Sequence, residues 1–276
     1  MTEVGGHPTP SLMSSPSSPT ALLAPISNND LPALISAIRE YGSPSLQLLN
    51  DLLAHAIDHN AITTIPYLIS LGASPLSDPP FSALYAPTAF PSFQHLILTG
   101  ALDINLDLDP LGTFLILAVM GNKRSHVVWC LEHGADANQG TFASRWSPLA
   151  AAAEYEADVG MLESLIGGGA HVDGSDALHT AAEKGRGDMV GFLLGRGADV
   201  NGVGFEYCVS DSKSGEAGTA LHFAVDGGSV GVARVLVEKG ADVRIRDVRG
   251  RTAMERAREK GMDGVRLYLE ELSREG

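Results

Sequence analysis

The chain has little that builds disulfides, membrane spans or aromatic pockets. Cysteine occurs twice in 276 residues, as Cys130 and Cys208. Two thiols so far apart make no disulfide framework, so an intracellular chain is expected. No apolar run approaches the length needed to cross a bilayer. The first residues have no basic region followed by an apolar run, so no secretory leader is expected. Aromatics are only 6%, which argues against a deep ligand cavity. Basic residues are also scarce, with 19 Lys+Arg against 33 Asp+Glu and a formal charge of -14. Residues 239–276 hold 10 of the basic residues and 8 acids, leaving residues 1–238 at 9 against 25. An acidic body repels phosphate backbones, so direct nucleic-acid binding is not expected. It attracts basic protein segments instead.

What is abundant is small and aliphatic. The chain is 44% hydrophobic, and Ala, Leu and Gly suit thin layers of closely stacked helices. Residues 1–26 are rich in Ser and Pro and are expected to form a disordered tail. Its Thr9-Pro10, Ser15-Pro16 and Ser18-Pro19 pairs fit proline-directed kinases, but such composition yields these pairs without any kinase.

Beyond residue 27 the chain repeats. One copy runs Asp176-Ala177-Leu178-His179-Thr180-Ala181-Ala182 and ends in Gly197-Ala198-Asp199-Val200-Asn201. Another runs Thr219-Ala220-Leu221-His222-Phe223-Ala224 and ends in Gly240-Ala241-Asp242-Val243. Weaker copies open at Thr113, Ser147 and Thr252, and divergent ones occupy residues 52–75 and 82–101. The second signature position recurs at Ala83, Phe114, Pro148, Ala177, Ala220 and Ala253. In the divergent copies the signature His is missing, and Pro87 and Pro91 interrupt the first helix expected of the second unit.

The residue types explain the unit. Ser or Thr caps the first helix. Leu and Ala form a narrow inner stripe. A second apolar run, such as Met189–Leu194, makes the second helix. Gly197 stops it, because the cap needs a left-handed residue. One unit cannot bury its own apolar face, but stacked units can.

These residues resemble the ankyrin repeat, a unit of about 33 residues with a T-P-L-H-x-A signature. The resemblance covers about residues 48–273. It implies an all-α solenoid of about six to seven stacked helix-turn-helix units, following a disordered N-terminal tail. The expected organisation is a tail at 1–26 and a repeat domain at 27–276. Within that domain, 29–47 cap the first face, 48–251 are repeats with an insertion at 202–217, and 252–276 form a charged capping repeat. That last unit carries Arg256, Arg258, Glu259, Lys260 and Arg266. The resemblance also implies that His179 and His222 bond to turn backbone.

No constellation of catalytic, metal-binding or cofactor-binding residues emerges. His55 and His59 share a helix face, but a zinc site needs a third ligand and the protease version needs Glu after the first His; that position is Ala56. Glycine clusters at 167–169, 185–187 and 202–204 lack the setting of a nucleotide loop. Cys130 reads as a small core residue. Glu154, Glu156 and Asp158 read as a solvated edge or as part of a negative face. An enzyme is not expected, because the repeats consume nearly the whole chain. The resemblance implies a scaffold or adaptor, monomeric alone, that binds a partner protein through its concave face and connectors. Candidate contacts on the helices are Tyr155, Lys184, Arg186 and Asp226. On the connectors they are Trp146, Phe205 and Tyr207. The alternative is a nuclear co-regulator that binds the basic surface of a transcription factor rather than DNA. The chain is accordingly expected in the cytoplasm, the nucleus or both.

Overall fold

The computed structural model describes residues 18–78, 88–107, 112–140, 147–155, 157–204 and 217–275. The chain divides into two compact units, residues 1–103 and 104–276.

In the first unit a 3-10 turn at Pro19–Leu22 runs into α1 (Leu23–Ser27). The disorder expected over residues 1–26 is therefore corrected at 19–26, which are helical. Leu22 and Ile26 are 0% exposed, and this apolar pair folds 18–27 onto the helices that follow; residues 1–17 lie outside the described residues. Helix α2 (Leu31–Tyr41) starts at Asp30, whose carboxylate accepts from Ala33 N at 3.0 Å, and Pro32 lies in its first turn. There a missing N–H costs nothing. Helix α3 (Leu46–Asp58) is capped by Ser45 and buries Leu52, Leu53 and Ile57. It packs on α4 (Ile65–Ser70) and on α5 (Phe90–Leu98). Pro91 sits in the first turn of α5, where it fits. Pro87 lies outside the described residues. Asn60 joins α3 to α5, donating to Thr88 O at 2.7 Å and accepting from Ser92 N at 3.2 Å.

The second unit stacks five helix pairs among its described residues. Its first helices are α6 (Phe114–Met120), α8 (Pro148–Glu154), α10 (Ala177–Glu183), α12 (Ala220–Asp226) and α14 (Ala253–Lys260). Each is followed by its partner: α7 (Arg124–Glu132), α9 (Val159–Gly167), α11 (Gly187–Gly195), α13 (Val230–Glu238) and α15 (Asp263–Glu275). Each first helix packs on the next first helix, and each second helix on the next second helix. A first helix therefore has neighbours on both sides. That is why Ala150, Ala151, Ala152 and Ala153 are all buried, since larger side chains would push the layers apart. Each fully buried Leu, such as Leu115 and Leu149, adds about 1.5–3 kcal/mol.

The helix starts follow from capping. Thr113, Ser147 and Thr252 accept from the backbone N–H three residues on. Glu255 completes a reciprocal box at Thr252, closing two of the free N–H groups at that end. The second helices end at Gly134, Gly169, Gly197 and Gly240, whose φ values run from +91 to +97. Glycine meets that left-handed requirement without strain. Short strands β1 (Val203–Gly204) and β2 (Gly218–Thr219) pair antiparallel, with Val203 opposite Thr219. They form the base of the 202–217 insertion; residues 205–216 lie outside the described residues. No helix among the described residues is long and apolar enough to cross a membrane.

Candidate functional site

Two surfaces of the second unit gather polar side chains: the ends of the first helices and the connectors between units.

At the helix ends, four successive units place an acid as the seventh residue of the first helix: Glu154, Glu183, Asp226 and Glu259. Carboxylates near a helix C-terminus oppose the helix dipole, so cations from neighbouring units answer them. Lys184 Nζ reaches Glu154 at 2.6 Å. Lys260 reaches Asp226 at 2.8 Å, and Arg256 also binds Asp226. Arg251 binds Glu259 at 2.7 Å. Glu183 lies between Glu154 and Asp226 in this row. Its carboxyl is pushed up to about 7, chiefly by burial; Asp226 and Glu154 add to the rise, while Lys184 and Lys260 oppose it. One buried oxygen each of Glu183 and Glu154 has no hydrogen-bond partner. The neighbouring unit closes tightly here, because a Cβ on Gly227 would lie 1.8 Å from Glu183 O.

Three of the helix candidates from the sequence are structural ties in this row. Arg186 donates to Tyr155 O at 3.1 Å and to Ala157 O, stapling one unit to the one before it. Tyr155 itself is half-buried at the end of α8. Lys184 stays exposed beside Glu154. Asp226 spends its carboxylate on Arg256 and Lys260. Trp146, Phe205 and Tyr207 lie outside the described residues, as do Glu156 and Cys208. Asp158 caps α9, accepting from Met161 N at 2.9 Å.

Arg256 corrects one reading of the capping unit. It is not part of a charged outer face but is 1% exposed. It lies between Asp226 and Asp247, with its guanidinium 5.8 Å from the Phe223 ring centre. The i, i+4 spacing inside a helix start hid this, since Arg256 occupies the stripe position that Ala151 and Thr180 fill elsewhere.

The connectors are bridged by a recurring amide that sequence reasoning missed. Asn105 accepts from Asp136 N at 2.7 Å and donates to Gly134 O at 3.0 Å. Asn138 repeats this with His171 N and Gly169 O, and Asn201 with Asp242 N and Gly240 O. The signal lay in the Asn that follows the Gly-Ala-Asp turn. Asp173 takes the same place and accepts from Asp199 N, but a carboxylate has nothing to donate.

The signature histidines behave alike at one nitrogen. His179 Nε2 donates to Gly202 O at 2.9 Å and His222 Nε2 to Arg251 O at 3.1 Å. Burial lowers both pKa values, favouring neutral rings. In the first unit, His55 and His59 stack at 4.0 Å, His55 meeting Ser27 Oγ and His59 its helix backbone. No group of three metal-binding side chains occurs among the described residues. Cys130 is buried, and its thiol is pushed up to about 12 by burial.

The chain is similar to proteins of several kinds. It is 36% identical over 114 residues to diacylglycerol kinase iota of Homo sapiens, covering 40% of this chain and 10% of that one. It is 29% identical over 216 residues to B-cell lymphoma 3 protein homolog of Mus musculus, covering 70% of this chain and 46% of that one. It is 32% identical over 109 residues to E3 ubiquitin-protein ligase Ufd4 of Drosophila melanogaster, covering 38% and 4%. The chain thus spans a tenth or less of the kinases it matches and under half of the B-cell lymphoma 3 homolog. What these share is the repeat. Ankyrin repeats in three copies match residues 115–203, and ankyrin repeats in many copies match 209–257. With its stacked helix pairs, glycine stops and signature histidines, the chain belongs to the ankyrin-repeat family.

Proposed function

We propose that this chain is a non-catalytic, intracellular binding module, monomeric alone, that holds a partner protein on its first-helix face and connectors. Ankyrin repeats are interaction modules, and repeat folds serve many partners. The observation that carries the reading is the acidic row. Glu154, Glu183, Asp226 and Glu259 recur at one position and alternate with Lys184, Lys260 and Arg251, so successive units extend one continuous charged surface. The chain as a whole holds 33 Asp+Glu against 19 Lys+Arg, an excess that favours a partner with a basic face. A carboxyl poised near 7 is also a feature of catalytic sites. Here burial raises Glu183 first, and the row's carboxylates add to it against its ammonium groups, so the shift needs no reaction to explain it.

A second reading is a nuclear co-regulator that binds a transcription factor. It is supported by the chain's acidic excess, which suits the basic DNA-binding surface of such a factor. Affinity capture of the tagged full chain, beside a variant lacking residues 203–216, tests both. A specific basic partner supports the module reading. A transcription factor selects the co-regulator, and a cytosolic enzyme or ligase subunit selects the adaptor. If neither form retains any specific partner, the module reading fails.

A further inference from the structure

The connectors of the second unit change sign along the array. The stretch 168–176 holds Asp173 and Asp176 and no Lys or Arg. The stretch 239–252 holds Lys239, Arg244, Arg246, Arg249 and Arg251 against Asp242 and Asp247. A chain of 33 acids and 19 bases therefore carries a basic connector between α13 and α14. The repeat's register marks one of these bases as a departure. Asn138, Asp173 and Asn201 stand three residues after the Ala of their Gly-Ala turns, and each accepts an N–H from the next connector. Arg244 takes that place. Its side chain bonds back to Asp242 and stays 87% exposed.

The rest of the loop turns its charge outward while being held from within. Arg246 is 57% exposed beside Glu255. Val248 is 62% exposed, and Arg249 next to it is exposed as well. Asp247 points the other way. Its carboxylate accepts from Arg249 N and Arg251 N, both at 2.9 Å, and from the Arg251 guanidinium. It has no exposed side-chain surface, and Arg251 and Arg256 answer its charge, so it does not offset the outward arginines. Val248 N donates to Ala217 O at 3.2 Å, which ties the loop to the segment entering β2. A loop ordered in this way loses little freedom when it binds. Asp242 and Glu255 pair with Arg244 and Arg246 in solvent. Exposed pairs of that kind contribute little, so an incoming carboxylate competes with them.

We propose that the connector 242–251 docks an acidic segment of the partner protein. The forks of Arg244, Arg246 and Arg249 bind its carboxylates, a geometry that guanidinium groups match better than ammonium groups do. Val248 supplies an apolar contact among them. This contact is opposite in sign to the one expected of the acidic body. A partner with a basic stretch and an acidic stretch is thereby oriented along the array, since complementary charge fixes register. The assignment rests on the protein-binding reading and gives it a direction.

The test is a titration of the full chain with acetyl-hexaglutamate amide at low salt, followed by amide NMR shifts. Shifts centred on residues 242–252 are expected, and acetyl-hexaglutamine amide is expected to leave them unmoved. The double variant Arg244→Asn, Arg246→Gln changes two exposed side chains and leaves the Asp247 network intact. Affinity for the acidic peptide is expected to fall roughly fivefold or more in it. The variant Arg39→Gln, Arg274→Gln removes the same charge from exposed positions outside the connector and is expected to keep the affinity. Equal losses in the two variants would reduce the effect to net charge and overturn the assignment. So would equal shifts from the glutamine peptide, or no shift at millimolar acidic peptide. Oligothymidylate that moves the same amides as strongly would assign the connector to phosphate backbones instead. The titration needs no partner, so its failure removes this contact alone and leaves the binding reading to the capture experiment.

Discussion

Arg256 lies buried between Asp226 of the preceding unit and Asp247 of the connector, and each aspartate has a second cation. Asp226 also binds Lys260, and Asp247 also binds Arg251 at 2.8 Å. Burial raises the Asp247 carboxyl, but hydrogen bonds from Arg251 and Arg249 outweigh this and hold it below its ordinary value. Removing one partner of a buried pair costs about 3–5 kcal/mol, because the other charge is stranded. Here Lys260 and Arg251 remain, so Arg256→Ala is expected to cost about 3 kcal/mol. The loss should fall first on α14 and α15, since repeat stability is carried by neighbouring interfaces. Hydrogen exchange of the two helices, alongside urea unfolding, checks this. Unchanged protection there would show that the buried network contributes little.

The raised pKa of Glu183 makes a pH prediction whose sign is opposite to that of a salt-bridged acid. The folded carboxyl titrates near 7, above its ordinary value of 4.5. Between these values the folded chain holds a proton that the unfolded chain has released. Stability from this group is therefore full below about pH 4.5 and is lost as pH rises through about 7. Glu183→Gln removes that loss, so it should stabilise the protein at pH 8 and have little effect at pH 5. Solvent screening at a half-buried group keeps the gain to about 1 kcal/mol. Urea unfolding at the two pH values measures it. A gain of equal size at both would point to packing rather than titration.

Cys130 faces the interior of α7, and its thiol is raised to about 12. The thiolate is the reactive form. At pH 8 the native protein should therefore alkylate at Cys130 on the order of 100-fold more slowly than the urea-unfolded chain. Mass spectrometry of the Cys130 peptide after timed iodoacetamide treatment gives both rates. Similar rates would mean that α7 opens readily.

Much of the fold was legible because a repeat states its rule several times. The caps at Thr113, Ser147 and Thr252 and the glycines after each second helix follow from residues seen in register, and the backbone bonding of His179 and His222 from the family resemblance. What escaped were features whose meaning depends on a neighbour. Arg256 reads as surface charge until Asp226 and Asp247 are placed beside it. Leu22 and Ile26 sit in a Ser/Pro-rich context and gave too little periodicity to announce a helix. Of the candidate contacts, Arg186 and Asp226 are named for their position on the first-helix units, and their bonds to the neighbouring units become visible only in the fold. Asp173 and Asp176 read as ordinary turn residues, and only comparison with the other units marks them as departures from the repeat.

The connector amides offer a prediction in both directions. Asn138 accepts from His171 N at 2.8 Å and donates to Gly169 O at 3.0 Å. Each such bond contributes about 1 kcal/mol net, so Asn138→Ala should cost about 2 kcal/mol. Asp173 has only the accepting half of this bridge. Asp173→Asn adds a donor for the turn at Gly197 and removes one charge from a cavity already holding Asp176 and Asp199. The single variant should therefore be more stable than the native chain by about 1 kcal/mol. Urea unfolding of Asp173→Asn and of Asn138→Ala, in the same buffer, decides the matter. If Asp173→Asn proves destabilising, the carboxylate has a structural partner that the amide cannot replace.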